Sequence, residues 1–190
     1  QLMNWRPDIV HALDWQTGLL SAYLKAWAQR HPPLVYTIHN MQFTGAYTHE
    51  QYIETGLPEH LYNVASLEYY GRYSMLKAGI QYSDAVTTVS PTYAKEIQTP
   101  AFGCGLDALM RDQRHKLSGI LNGVDYEVWN PATDEMIDFH YSTRDMSGKA
   151  LNKHALQKKL GLLEDGRRPM FGLISRLSEQ KGLDLVLQVM

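Results

Sequence analysis

Cysteine is almost absent, Cys104 being the only one in the chain. A single thiol excludes an intramolecular disulfide framework and points to a reducing compartment. Charge of one sign is not in excess either: 18 Lys and Arg stand against 20 Asp and Glu, a net charge of −2. Without a bulk positive field, neither a nucleic acid nor an anionic membrane is expected as a partner. No apolar run approaches the ~18 residues that a bilayer span needs. Residues 1–8 are polar, and no secretory signal is expected there. Several signatures are missing as well. There is no G-x-x-x-x-G-K-[ST] phosphate loop, no H-E-x-x-H among the eight histidines, and no G-x-S-x-G elbow. Residues 103–108 spell G-x-G-x-x-A, but they follow Thr99-Pro100-Ala101-Phe102 rather than a strand pattern. A dinucleotide fingerprint is therefore excluded there.

What is present is ordinary globular composition: 190 residues, 44% hydrophobic and 20% charged. At about 150 residues per domain, that suits one domain, or one domain and part of another. The chain opens on Gln1 and closes in an apolar helical pattern with no stop signal, so it reads as an internal piece of a longer protein.

Short β-rich runs alternate with helical patterns. Strands are expected at 9–12, 34–38, 85–89, 117–121 and 170–174, where β-branched and aromatic residues gather. Helices are expected at 16–29, 70–82, from Ser90-Pro91 onward, and at 106–113, 149–160 and 178–190. Ser90 supplies an N-cap and Pro91 the first helical position, while Gly161 stops the helix before it. Residues 41–60 read mostly as loop, and 122–148 as irregular. Strands separated by helices imply an α/β fold with a parallel sheet. The polar stretch 164–169 marks a plausible boundary.

In such sheets ligands bind beyond the carboxyl ends of the strands. The residues following each strand are therefore the candidates: Asp14, then His39-Asn40, Ser90, Asn122-Gly123, and Ser175-Arg176, with His11 inside the first run. Ser90 is explained by capping. Asp14 could cap the helix after it or line a crevice, and spacing does not separate the two. His39 is either a satisfied structural histidine or a donor to a polar ligand. Arg176 and Lys181, five residues apart at the start of a helix, make either a diphosphate clamp or an ordinary surface turn with Glu179 pairing locally. Lys149, Lys153, Lys158 and Lys159 read as a solvated helix face. Tyr69, Tyr70 and Tyr73 read as packing residues, with stacking on sugar rings as the alternative.

These same stretches carry a family resemblance. Arg6-Pro7-Asp8-Ile9-Val10-His11-Ala12-Leu13-Asp14-Trp15-Gln16-Thr17-Gly18-Leu19 resembles the first motif of bacterial glycogen synthases and plant starch synthases. Tyr36-Thr37-Ile38-His39-Asn40 is similar to their second. Leu76-Lys77-Ala78-Gly79-Ile80, Val89-Ser90-Pro91-Thr92-Tyr93-Ala94-Lys95-Glu96-Ile97 and Leu121-Asn122-Gly123-Val124-Asp125 follow in family order. The stretch Ile174-Ser175-Arg176-Leu177-Ser178-Glu179-Gln180-Lys181-Gly182-Leu183-Asp184 resembles the nucleotide-site motif. Six motifs in one order are far more specific than any one of them.

The resemblance implies a GT-B fold of two Rossmann-like domains facing a cleft. Residues 1–122 would be the later part of the first domain, 123–166 the connection, and 167–190 the start of the second. It implies retaining transfer of glucose from ADP-glucose to the non-reducing end of an α-1,4-glucan, without a metal or other cofactor. The setting would be the bacterial cytoplasm, or a plastid in a plant. By analogy Arg176 and Lys181 hold the diphosphate, His39 meets the transferred glucose with Asn40 beside it, Asp14 orients the sugar or acceptor, and Asn122 lines the substrate site. Leu13 stands where the family usually has a second histidine. A silent glucan-binding module, or a transferase using another sugar nucleotide, are the alternatives. The family's Lys-Thr-Gly-Gly-Leu and Glu-Pro-Cys-Gly segments are not in this chain, so no activity is expected of it alone.

Overall fold

A computed structural model describes residues 6–28 and 30–189, with Glu179 described by its backbone alone. The start of the polar opening stretch lies outside these residues. So do the final positions of the two helices expected to end at Gln29 and Met190. In chain order the elements are β1 (Val10–Leu13), α1 (Asp14–Thr17), α2 (Leu19–Trp27), β2 (Leu34–Ile38), β3 (Ala46–Tyr47), α3 (His49–Glu54), β4 (Glu68–Tyr69), β5 (Arg72–Ser74), α4 (Met75–Tyr82), β6 (Ala85–Thr88), α5 (Pro91–Glu96), α6 (Asp107–Asp112), β7 (Leu117–Gly119), α7 (Ser147–Lys159) and α8 (Leu183–Val189). The chain divides into two compact units, Gln1–Gly123 and Val124–Met190.

The first unit is built on a four-stranded sheet in the order β1-β2-β6-β7, every pair parallel. This is the α/β arrangement that the alternating pattern implies. Strand β2 shows why it forms. Leu34, Tyr36 and Ile38 point to one face and are buried, while Val35 and Thr37 lie half-buried on the other. That face joins Ala12, Val86, Leu76, Ile80, Ile97 and Met110 in the main core. A second cluster, around Leu19, Tyr52, Leu67 and Tyr73, lies under the segment inserted between β2 and β6.

That insertion departs from expectation. Residues 41–60, expected as loop, contain α3, whose Thr48 and Gln51 form a reciprocal capping box. The helix expected over 70–82 begins only at Met75, with Ser74 as its side-chain cap. Residues 68–74 instead form β4 and β5 of a small antiparallel sheet with β3, turning at Tyr70-Gly71, where φ is 50° and 77°. Glycine takes that backbone without a steric penalty, and it ends the helical reading.

Helix α4 is pressed closely to α2. A Cβ built on Gly18 would stand 1.8 Å from the backbone oxygen of Met75, which cannot swing aside. Gly18→Ala is therefore expected to destabilise the protein by about 2–3 kcal/mol, the scale of a severe overpacking. A urea midpoint near the parent value would contradict this.

In the second unit, α7 carries two lysines that are not merely solvated, against expectation. Lys153 donates to the carbonyls of Gly166 (2.9 Å) and Arg168, stapling the following loop. Lys149 sits 5.7 Å from the Tyr141 ring centre. The strand expected at 170–174 does not form, and Ile174 is fully exposed. A strand needs a partner for its N–H and C=O groups, and among the described residues no strand lies beside it. The helix expected from 178 is split into a 3-10 turn, Glu179–Lys181, and α8, with Gly182 at φ 69° between them.

Candidate functional site

The carboxyl ends of β1 and β2 lie side by side, with Leu13 in register with Thr37. Asp14 follows β1 with φ at 57°, one of three non-glycine residues in the left-handed region among those described. Its side chain does not cap α1. Instead its Oδ1 accepts the backbone N–H of His39 at 2.8 Å. Two candidates 25 residues apart in sequence are thus joined directly. The capping alternative for Asp14 falls away.

The strained turn is braced. The Leu13 N–H donates to the Thr17 hydroxyl at 2.7 Å, and that hydroxyl in turn donates to the Leu13 carbonyl at 2.7 Å. The chain after β2 is braced as well. Met41 N–H donates to the Tyr93 hydroxyl at 3.1 Å, and Gln42 N–H donates to Asn40 Oδ1 at 3.0 Å. Three backbone donors between 39 and 42 are held by side chains from three places in the chain. The His39 ring is left exposed on this preorganised loop. Behind it, Trp15 packs on Gly45, where a Cβ would come within 2.5 Å of the indole and where φ is 56°. A glycine is required there twice over.

A polar row crosses the half-buried face of the sheet. The His11 imidazole lies 2.7 Å from the Thr37 hydroxyl, which is 2.6 Å from that of Thr87. Ser90 caps α5, accepting from the Tyr93 N–H at 2.9 Å, as its position predicts. Leu13 is exposed at the end of β1.

The remaining candidates lie elsewhere in the chain. Asn122 is exposed in the irregular stretch after β7. Arg176 and Lys181 belong to the second unit and are exposed. Arg176 follows irregular chain rather than a strand, and Lys181 ends the 3-10 turn instead of opening the helix. The Ser178 N–H donates to the Arg176 carbonyl, and the Lys181 N–H to the Ser178 carbonyl, both at 2.9 Å. The turn is thereby compact, and both cationic side chains project from it into solvent. Among the described residues no group of three His, Cys, Asp or Glu could hold a metal, and no helix is long and apolar enough to cross a membrane.

Sequence reasoning missed Thr17 and Tyr93 as supports of the loop. Their partners are backbone atoms, and no spacing rule announces those.

A parallel α/β sheet with a braced, polar carboxyl edge belongs to the class of open α/β folds that bind ligands beyond their strand ends. The comparisons narrow it. A family profile described as the starch synthase catalytic domain matches residues 1–112. A glycogen synthase of Marinomonas sp. is 52% identical over 189 residues, covering 100% of this chain and 40% of the relative. One from Paramagnetospirillum magneticum is 51% identical, covering 97% and 38%. The catalytic domain of starch synthase IV from Arabidopsis thaliana, solved bound to ADP and acarbose, superposes with a TM-score of 0.84 at 36% identity, over 97% of this chain and 39% of that one. The chain belongs to the starch synthase catalytic domain family. It spans about two fifths of the length of the curated relatives it matches.

Proposed function

We propose that the protein containing this chain is a glycogen synthase, moving glucose from ADP-glucose to the non-reducing end of an α-1,4-glucan with retention of configuration. The observation that carries the reading is the Asp14–His39 bond, which pins the backbone of His39, with its exposed side chain, at the carboxyl edge of a parallel sheet. Relatives at about half identity across the whole chain support it. So does a solved neighbour whose description names ADP and acarbose.

In this proposal His39 meets the transferred glucose, and Asn40 keeps the loop in shape through its bond to the Gln42 N–H. Asp14 sets the position of His39, and Asn122 lines the substrate site. Glycosyl transfer builds positive charge on the sugar and negative charge on the departing diphosphate. Arg176 and Lys181 meet the second, by a forked donor and a point charge. Charge placed where it develops lowers the barrier more than it aids ground-state binding. The side chains carry this load, so the scheme assigns no step to a metal or cofactor. Residues 1–122 are taken as part of a first domain, 123–166 as a connection, and 167–190 as the start of a second.

The test is ADP release and glucan growth by the full-length protein, given ADP-glucose and glycogen. Growth of chains cleavable by an α-1,4-specific amylase is expected. Glycogen binding without ADP release would leave a silent glucan-binding module instead. Faster turnover of UDP-glucose than of ADP-glucose would move the assignment to another GT-B transferase.

A further inference from the structure

The strand ends of the first unit are not held alike. Asp14, the His39 N–H, Asn40 and Ser90 each make a hydrogen bond that fixes the chain where they stand. After β7 the bracing stops. The Ile120 N–H donates to the Thr88 carbonyl at 2.8 Å, and Asp125 opens the next turn by accepting the Glu127 N–H at 2.9 Å. Between these anchors residues 121–124 are all exposed. Among the described residues no backbone or side-chain hydrogen bond ties them. A segment so lightly held opens locally at little cost.

Asn122-Gly123 lies in that span. An asparagine carboxamide can be attacked by the backbone nitrogen of the next residue when the chain lets the two atoms meet. A side chain on that next residue obstructs the approach, and glycine has none. A Cβ at Gly123 would meet nothing within 4 Å, so the surroundings leave the approach open too. The other described asparagines differ. After Asn40, the Met41 N–H is donated to Tyr93. Asn63 precedes the branched Val64, and its Nδ2 donates to the His60 carbonyl at 2.7 Å. Pro131, after Asn130, has no N–H to lose. Asn152 lies in α7, with both ends of its amide bonded to Phe139. Asp165-Gly166 has the same glycine, but the Asp165 carboxylate accepts the Arg167 N–H at 2.9 Å and pairs with both Arg167 and Arg168 at 3.5 Å.

We infer that Asn122 is a site of spontaneous deamidation. The Gly123 nitrogen gives up its proton and bonds to Asn122 Cγ; the Cγ–Nδ2 bond breaks, and Nδ2 takes up a proton and leaves as ammonia. Water then opens the cyclic imide at either carbonyl, giving aspartate or isoaspartate. Neither product needs an oxidant or a second enzyme. Both bring a carboxylate to position 122, and isoaspartate also reroutes the backbone through the side chain. The chemistry stands by itself. Only the expected loss of function rests on the proposed placing of Asn122 at the substrate site, where a new negative charge opposes a diphosphate.

The full-length protein is aged at mildly alkaline pH and its peptides are mapped by mass spectrometry, beside a free peptide of residues 118–127. The fragment spanning Asn122 is expected to convert to aspartate and isoaspartate forms while the other described asparagines stay intact. Conversion should quicken as pH rises, because the attacking nitrogen must lose its proton. Gly123→Ala is expected to slow it at least about tenfold, the new methyl group obstructing the attack. Turnover of ADP-glucose should fall in step with the converted fraction. An Asn122 that stays intact in the protein while the free peptide converts overturns the inference, and so does equal conversion in Gly123→Ala. Should Gly123→Ala fail to fold, the comparison of parent with peptide carries the test alone. Conversion with full turnover would keep the modification site while removing Asn122 from the substrate site.

Discussion

Arg176→Ala in the full-length protein is expected to lower turnover of ADP-glucose by about 10²–10³, the scale of losing one donor to a developing anion. Lys181→Ala should fall in the same range. The physical reason is differential. In the ground state the oxygen that joins the diphosphate to the sugar carries no formal charge. As that bond breaks, charge concentrates on the leaving oxygen, and a cation there gains most. KM for glycogen should move little, since neither residue is proposed to touch the acceptor. Arg176→Lys keeps a charge and loses the fork, so its turnover should lie between parent and alanine variant. The double alanine variant should lose less than the product of the single losses, because the two cations act on one group. Both residues are exposed on a compact turn, so the fold should survive each change. Near-normal turnover in both single variants would leave Arg176 and Lys181 as the ordinary surface turn that their spacing also fits.

The central sheet was legible because its strands carry their own signal. Leu34-Val35-Tyr36-Thr37-Ile38 alternates a buried with a half-buried position at every step. Ser90-Pro91 announced a helix start through local bonds, and the structure shows the serine accepting from Tyr93 N–H. The Thr48 and Gln51 capping box was equally local, and its T-x-x-Q spacing was available to be read. The Tyr69-Tyr70-Gly71 stretch was harder. Its aromatic residues fit a helix face as well as a hairpin, and only Gly71 marks the turn. Residues 170–174 have strand composition but no strand beside them among the described residues, and a strand is decided by its neighbour. At the site, Asp14 and His39 were both legible as residues following strands. What joins them was not, because a carboxylate reaching the backbone of a residue 25 positions on leaves no periodic trace. Thr17 and Tyr93 escaped for the same reason.

The Asp14–His39 bond carries the other large expected effect. His39→Ala removes the imidazole itself and should cut turnover by about 10²–10³. Asp14 is argued to act through His39, as a positioning residue, and its variants can be told apart by what each keeps. Asp14→Asn retains an oxygen acceptor and tolerates φ near 57°, so the turn and the bond to the His39 N–H can both persist. Its thermal midpoint should stay close to the parent, with turnover down by about tenfold from the weaker, uncharged hydrogen bond. Asp14→Ala loses the acceptor and sits poorly in the left-handed region. It should cost about 1–2 kcal/mol of stability, and its turnover should drop by about 10², the scale of a misplacement of roughly 1 Å. The decisive measurement is the double variant, Asp14→Ala with His39→Ala. If the carboxylate works by placing the imidazole, removing the imidazole first leaves it little to do, and the double variant should turn over about as slowly as His39→Ala alone. Losses that multiply instead would mean that Asp14 serves the sugar or the acceptor independently, and the coupling inferred from the 2.8 Å bond would be wrong.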